Sequence, residues 1–293
     1  HIYHDEHPYW PPVIMGHEFS GEIVEVGANV KEWQVGDRVV AEPHTRTCGT
    51  CLYCRTGNQQ VCVSKRAPGW GIDGAFAEYL AYPARLLHRI PDEVSFEEAA
   101  CAEPMSICVH GVLERSLHNS GDTTCMSGAE TVLISGPGPI GLLATQVLRA
   151  AGVGTIIVSG TPRSAKLRLP KALEVGADIT VNVGEEDLVE KVMRVTDGRG
   201  VDLVVECSGA QKAIEQAFKC VRRLGKVCFI GIAGSNSITI PFDEAIFKAA
   251  NVTFCFSHRY TSWETTLGLM AKGLVTPKKI ITHKGPLSNW EEF

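Results

Sequence analysis

The sequence predicts an α/β protein in two parts: a strand-rich N-terminal region, then a doubly wound parallel sheet. From Thr131 onward, short apolar runs alternate with helix-like stretches, the pattern of a parallel sheet covered on both faces. The first of those runs leads straight into Gly136-Pro-Gly-Pro-Ile-Gly141, a glycine-rich turn between a strand and a helix. The length, 293 residues, is about twice that of one ordinary domain.

In the first part, residues 21–30 alternate apolar and polar side chains, and 35–41 resemble a turn feeding a strand. Residues 75–81 and 86–90 add further strand candidates. Residues 97–113 predict a helix, acidic at its start and apolar after it. The polar, turn-forming stretch 116–130 marks the boundary, giving domains 1–125 and 126–261. In the second part, strands are expected at 131–135, 155–159, 179–183, 201–206, 226–230 and 252–256, with helices at 140–151 and 164–175 among those between them.

Composition narrows the function classes. Twenty-eight Lys and Arg against thirty-three Asp and Glu give a net charge of −5, with no basic excess to neutralise phosphates, so nucleic acid is not an expected partner. Residues 131–148 carry no charge, but their glycines and prolines break the apolar run, so no membrane span is expected there. The first ten residues have neither a basic region nor an apolar core, so no signal peptide is visible. Eleven cysteines, four of them bunched, suit a cytoplasmic enzyme better than a secreted disulfide scaffold.

Those four, Cys48, Cys51, Cys54 and Cys62, have the spacing C-x2-C-x2-C-x7-C. Two-residue gaps let neighbouring thiolates turn toward one point, which predicts a closed four-sulfur structural zinc site; disulfides at this spacing would be strained.

The turn Gly136, Gly138, Pro139, Ile140, Gly141 has the G-x-G-x-x-G pattern in its proper context, after a strand and opening a helix. Its glycines would permit the tight turn and the approach of a pyrophosphate, with helix N–H groups facing it. An NAD-selective site would carry an acid about twenty residues on, at the end of the next strand. That position is Gly160, followed by Thr161 and Arg163, with Lys166 nearby. With no carboxylate and with cations close, NADP is favoured over NAD. Ser208, Gly231 and Ile232 stand at the ends of later strands, where ligands sit in such sheets, and are candidates for the nicotinamide pocket.

Gly16-His17-Glu18 joins an apolar segment to a strand, and Glu103 lies amid Ala, Cys and Met, where a carboxylate needs a cation or donor. Taken together, GHEFSGEIVEVG, VGDRV, the cysteine knuckle, GAFAEYL, AEPMSICVH and VLISGPGPIGLLA resemble the zinc-containing medium-chain dehydrogenases. The closer resemblance is to their sorbitol (polyol), threonine and butanediol branch. The resemblance implies a GroES-like catalytic domain, to which residues 262–293 return, a Rossmann domain, a catalytic zinc and a homo-oligomer, either dimer or tetramer. It makes His17 a zinc ligand, Glu18 a direct or exchanging ligand, and Glu103 a ligand or the holder of metal-bound water. His1 becomes a proton-relay histidine and Tyr3 a substrate-pocket residue. It also implies a chain clipped at both ends, with the family's catalytic cysteine expected about five residues before His1. The expected activity is hydride transfer between a secondary alcohol and a nicotinamide cofactor. The competing readings are a zinc-free quinone-type reductase and a nucleotide-binding fragment without activity.

Overall fold

A computed structural model describes residues 11–117 and 130–292. His1, Tyr3 and most of the expected boundary segment lie outside the described residues. The chain divides into two compact units: residues up to Ser106 together with those from Ser257 on, and Ile107–Phe256. The first unit thus ends upstream of the boundary expected at 125, within a helical run.

The first unit holds a three-stranded antiparallel sheet of β1 (Ser20–Glu22), β2 (Arg38–Ala41) and, following the two-residue strands β3 (Ala67–Pro68) and β4 (Gly71–Ile72), β5 (Leu87–Arg89). β2 lies in the middle, and Val39, Val40 and Ala41 are buried there. The strand expected over 21–30 stops at Glu22. Beyond it the pairing continues through Ile23 alone among the described residues, whose amide donates to the Asp37 carbonyl and whose carbonyl accepts from the Gly36 amide. Residues 75–81 form no strand, because the amides of Ala75 and Phe76 are spent on the carbonyls of Gly16 and Met15. A four-residue helix, α1 (Leu52–Arg55), carries Cys54.

The helix expected at 97–113 is broken. α2 (Phe96–Ala99) starts on Ser95, whose hydroxyl accepts the Glu98 amide, and α3 (Ala102–Cys108) follows after a two-residue interruption. From Val109 to Leu117 the winding widens to π turns.

The second unit is built on six parallel strands in the order β11-β10-β9-β6-β7-β8: β6 (Thr131–Ser135), β7 (Thr155–Gly160), β8 (Ile179–Asn182), β9 (Val201–Glu206), β10 (Val221–Phe229) and β11 (Asn251–Phe254). Between them run α4 (Pro139–Ala150), α5 (Arg168–Glu174), α6 (Leu188–Val195), α7 (Gln211–Cys220) and α8 (Phe242–Phe247). Counted within the unit, the order is 3-2-1-4-5-6, which reverses direction between β6 and β9. Central strands such as β6 are buried throughout, and Leu133, Ile157, Val204 and Val227 pack into one core with Phe218. The last helix, α9 (Tyr260–Ala271), belongs to the first unit. Among the described residues no helix is long and apolar enough to cross a membrane.

Candidate active site

In the first unit, the knuckle's four sulfur atoms lie within 4.8 Å of one another. Cys48–Cys54 and Cys51–Cys62 are 3.9 Å apart and Cys48–Cys62 3.7 Å. Tetrahedral ligation with Zn–S bonds of about 2.3 Å requires sulfur separations of about 3.8 Å, so the donor set fits zinc; a disulfide needs about 2.05 Å. The Cys51 amide donates to Cys48 Sγ at 3.3 Å and the Cys48 amide to Cys62 Sγ at 3.4 Å. Backbone N–H groups of Cys51 and Thr50 lower the Cys48 thiol to about 6, favouring the thiolate a metal takes.

His17, Glu18 and Glu103 form a second donor cluster, each offering an atom within 4.8 Å of the others. Neighbours on a regular strand would point apart, but here β1 has not yet begun. Gly16 takes φ +96, and a Cβ there would lie 2.6 Å from the Phe76 ring, so only glycine fits before His17. The segment is pinned by backbone bonds from Gly74 to Ile14 and from Phe76 to Met15, and by the Ile14 amide donating to Asp73 Oδ1 at 2.9 Å. Glu103 is delivered by the first turn of α3 and is buried.

Electrostatics suit a cation here. Burial pushes the Glu103 carboxyl up, and His17 and then Lys65 draw it back. Loss of hydration around its carboxyl, then the charge of Glu103, push Glu18 up to about 7, although the residue as a whole keeps solvent contact. Burial lowers the Lys65 ammonium to about 8 against the pull of Glu103. Two carboxylates and an imidazole converging in this way are a hard, oxygen- and nitrogen-rich donor set that fits zinc.

Sequence reasoning missed Lys65 and an adjoining buried network. Glu42 lies 3.0 Å from His44 Nε2 and 3.4 Å from His88 Nε2, and His88 Nδ1 is 2.5 Å from Glu264. Burial raises the Glu42 carboxyl, but the two imidazoles outweigh it and hold it at about 2. The only local signal was Glu42-Pro-His44, whose i, i+2 spacing sets both side chains on one side of an extended chain.

In the second unit, the glycine turn stands at the carboxyl end of β6, beside the reversal of strand order. A Cβ on Gly141 would sit 1.9 Å from the Gly136 carbonyl oxygen, and one on Gly136 2.9 Å from Ser208. Nothing lies within 4 Å of a Cβ built on Gly138, the N-cap of α4. That open approach to a helix N-terminus fits a pyrophosphate. Pro139 occupies the first position of α4, where its missing N–H costs nothing. Gly160 ends β7 and Thr161 caps the short turn carrying Arg163, which is exposed and makes no ion pair with a described residue. Ser208, Gly231 and Ile232 gather at the ends of β9 and β10. Glu206, which the sequence reading did not single out, organises them: its buried carboxylate accepts from the Ser208 amide and hydroxyl and the Gly209 amide.

A dinucleotide-type sheet and a GroES-like unit bearing the cysteine knuckle and the His17–Glu18–Glu103 cluster define a zinc-type alcohol oxidoreductase. An alcohol dehydrogenase GroES-like domain matches residues 1–92, and a zinc-binding dehydrogenase domain matches 139–272. A sorbitol dehydrogenase of Halalkalibacterium halodurans is 38% identical over 292 residues, covering 100% of this chain and 82% of the relative. An L-threonine 3-dehydrogenase of Pyrococcus horikoshii is 39% identical, covering 94% of this chain and 75% of the relative. A solved structure described as a zinc-binding dehydrogenase of Sinorhizobium meliloti 1021 bound to NADP superposes with a TM-score of 0.86 at 32% identity, over 96% of this chain and 79% of that one. The chain belongs to the zinc-containing medium-chain dehydrogenases.

Proposed function

We propose that the protein oxidises a secondary alcohol of the polyol, diol or threonine type, with NADP preferred as hydride acceptor. The convergence of His17, Glu18 and Glu103 carries this reading, because direct hydride delivery to an activated double bond, as in a zinc-free reductase, needs no such cluster. His17 and Glu18 would hold the catalytic zinc, and Glu103 would hold a water beside it; Cys48, Cys51, Cys54 and Cys62 would hold the structural one. When bound, the catalytic zinc supplies Lewis acidity that lowers the pKa of an alcohol hydroxyl.

The protein's own residues do the rest. Glu18 and Glu103, both raised above the usual carboxylate range, would give up their protons to a cation and then balance its charge. When bound, the nicotinamide would supply a hydride acceptor for the alcohol carbon, and the relay assigned to His1 would carry off the hydroxyl proton, which balances to a ketone and the reduced cofactor. Tyr3 lines the substrate pocket in this reading. Gly136, Gly138, Pro139, Ile140 and Gly141 would receive the pyrophosphate, and Ser208, Gly231 and Ile232 would line the nicotinamide pocket. With Gly160 in place of an acid, Thr161 and Arg163 take the 2′-phosphate. A homo-oligomer is supported by the sheet edge: among the described residues β11 pairs on one side only, and it exposes Phe254.

The test is a panel of polyols, diols and threonine offered with NADP and with NAD, alongside metal stoichiometry. Two zinc ions per chain and NADP-linked turnover are expected. Full turnover after exhaustive chelation overturns the metal assignment, and equal use of NAD overturns the cofactor preference.

A further inference from the structure

The candidate site contains a buried histidine that neither cluster accounts for. His258 is 0% exposed, Trp263 1% and Glu103 5%. Trp263 Nε1 is 2.8 Å from His258 Nδ1, and His258 Nε2 is 3.2 Å from Glu103 Oε1. An indole N–H can only donate, so His258 Nδ1 is an acceptor. The proton of the neutral ring must then sit on Nε2, where it faces the carboxylate. Turning the ring over would set carbon atoms against both partners, so the two contacts define the orientation together. The indole and imidazole meet edge to face, with centroids 5.1 Å apart and planes at 89°.

We propose that Trp263 and His258 are positioning residues for Glu103: the indole selects the Nε2–H tautomer, and that N–H holds one carboxylate oxygen in place. The inference rests on the reading that Glu103 serves the His17 site. Two further features support it. Ser106, one turn after Glu103 in α3, donates its hydroxyl to Thr266 Oγ1 at 3.1 Å, and Thr266 lies one turn after Trp263 in α9. The two helices are therefore joined at two successive rungs. His258 also follows Ser257, a non-glycine residue held at φ +59, which re-aims the chain just before the ring. The same tautomer argues against a cation shared by Glu42, His44 and His258, whose ligand atoms also lie within 4.8 Å of one another. The indole occupies one His258 nitrogen and a proton the other, so neither lone pair is available to a metal.

The test uses the full chain labelled with nitrogen-15, with the variants Trp263→Phe, His258→Phe, His258→Gln and Glu103→Gln. In the unaltered protein, His258 should show a protonated Nε2, an unprotonated Nδ1 and a downfield Nε2–H proton. Glu103→Gln should move that proton upfield, and Trp263→Phe should mix the tautomers. In zinc titrations against a competing chelator, His258→Phe should weaken the His17 site about tenfold to a hundredfold and spare the cysteine site. His258→Gln, which keeps an N–H donor, should recover most of the loss. A protonated Nδ1, a proton insensitive to Glu103→Gln, or unchanged zinc affinity in His258→Phe would overturn the proposal. If the unaltered protein takes up only the knuckle's ion, the proposed function fails, and the nitrogen spectra alone then decide the His258 assignment.

Discussion

In the Rossmann unit, the candidate cofactor residues stand at the carboxyl ends of strands or in the turns and helix that directly follow. In the GroES-like unit, His17, Glu18 and Lys65 belong to no helix or strand, and only Glu103 rides on a helix. The first site is local: Gly136 to Gly141 closes on itself, and a Cβ at 141 would strike the Gly136 carbonyl. The second is assembled by distant partners, with Glu103 meeting His258 across 155 positions and Lys65 meeting Ser257 across 192. One site is a shape written in backbone geometry. The other is a balance of buried charge.

The sharpest way to break this comparison is His17→Ala. It should cost about 4 kcal/mol or more of transition-state stabilisation, roughly a thousandfold in kcat/KM, with cofactor affinity unchanged when followed by nicotinamide fluorescence. A parallel loss of cofactor binding would show that the two sites are not separable.

The charge balance can also be titrated. Glu42 is held at about 2 against an ordinary 4.5, so the folded state binds fewer protons than the unfolded one between those values. Its contribution to stability is fully present above pH 4.5 and is lost as pH falls toward 2; the full shift corresponds to at most about 3 kcal/mol. Denaturant melts across that window should steepen the acid limb in the parent protein and flatten it in Glu42→Gln, which should also be less stable at pH 7.

The backbone site makes a different demand. Gly141→Ala leaves every charge in place yet forces the turn to shift. Cofactor affinity should fall by about 1–3 kcal/mol, about fivefold to 150-fold, with zinc content unchanged. The smallest effect belongs to Arg163→Ala: about a fivefold rise in KM for NADP and none for NAD, since an exposed cation contributes about 1 kcal/mol to phosphate recognition.

The same contrast governs what could be read from the sequence. The six parallel strands were legible because each is an apolar run bounded by turn residues, and the glycine turn because its constraint spans six residues. The cysteine knuckle was legible for the same reason, its four ligands falling within fifteen positions. The strand expected at 75–81 failed because its amides are committed to residues 15 and 16, a partner no periodicity reveals. The single helix expected at 97–113 failed where Ala100 and Cys101 interrupt it and where π turns follow. Lys65, Glu42, His44, His88 and His258 were overlooked because an isolated histidine or lysine carries no sign of which distant carboxylate it will face. Glu206, at the end of a strand, carries no mark in the sequence of the Ser208 and Gly209 amides that fold over it.

The glycine closing β7 has a practical consequence for altering coenzyme choice. A side chain begun at Gly160 would start 2.8 Å from Pro137 Cγ and 3.1 Å from Leu169 Cδ2. An aspartate there, the residue type that would hold a ribose 2′-hydroxyl, therefore collides with the second residue of the glycine turn. The swap calls for a paired change, with a smaller residue at 137 admitting the acid at 160, and the two substitutions should be strongly non-additive. A library that mutates one position at a time would pass over the solution.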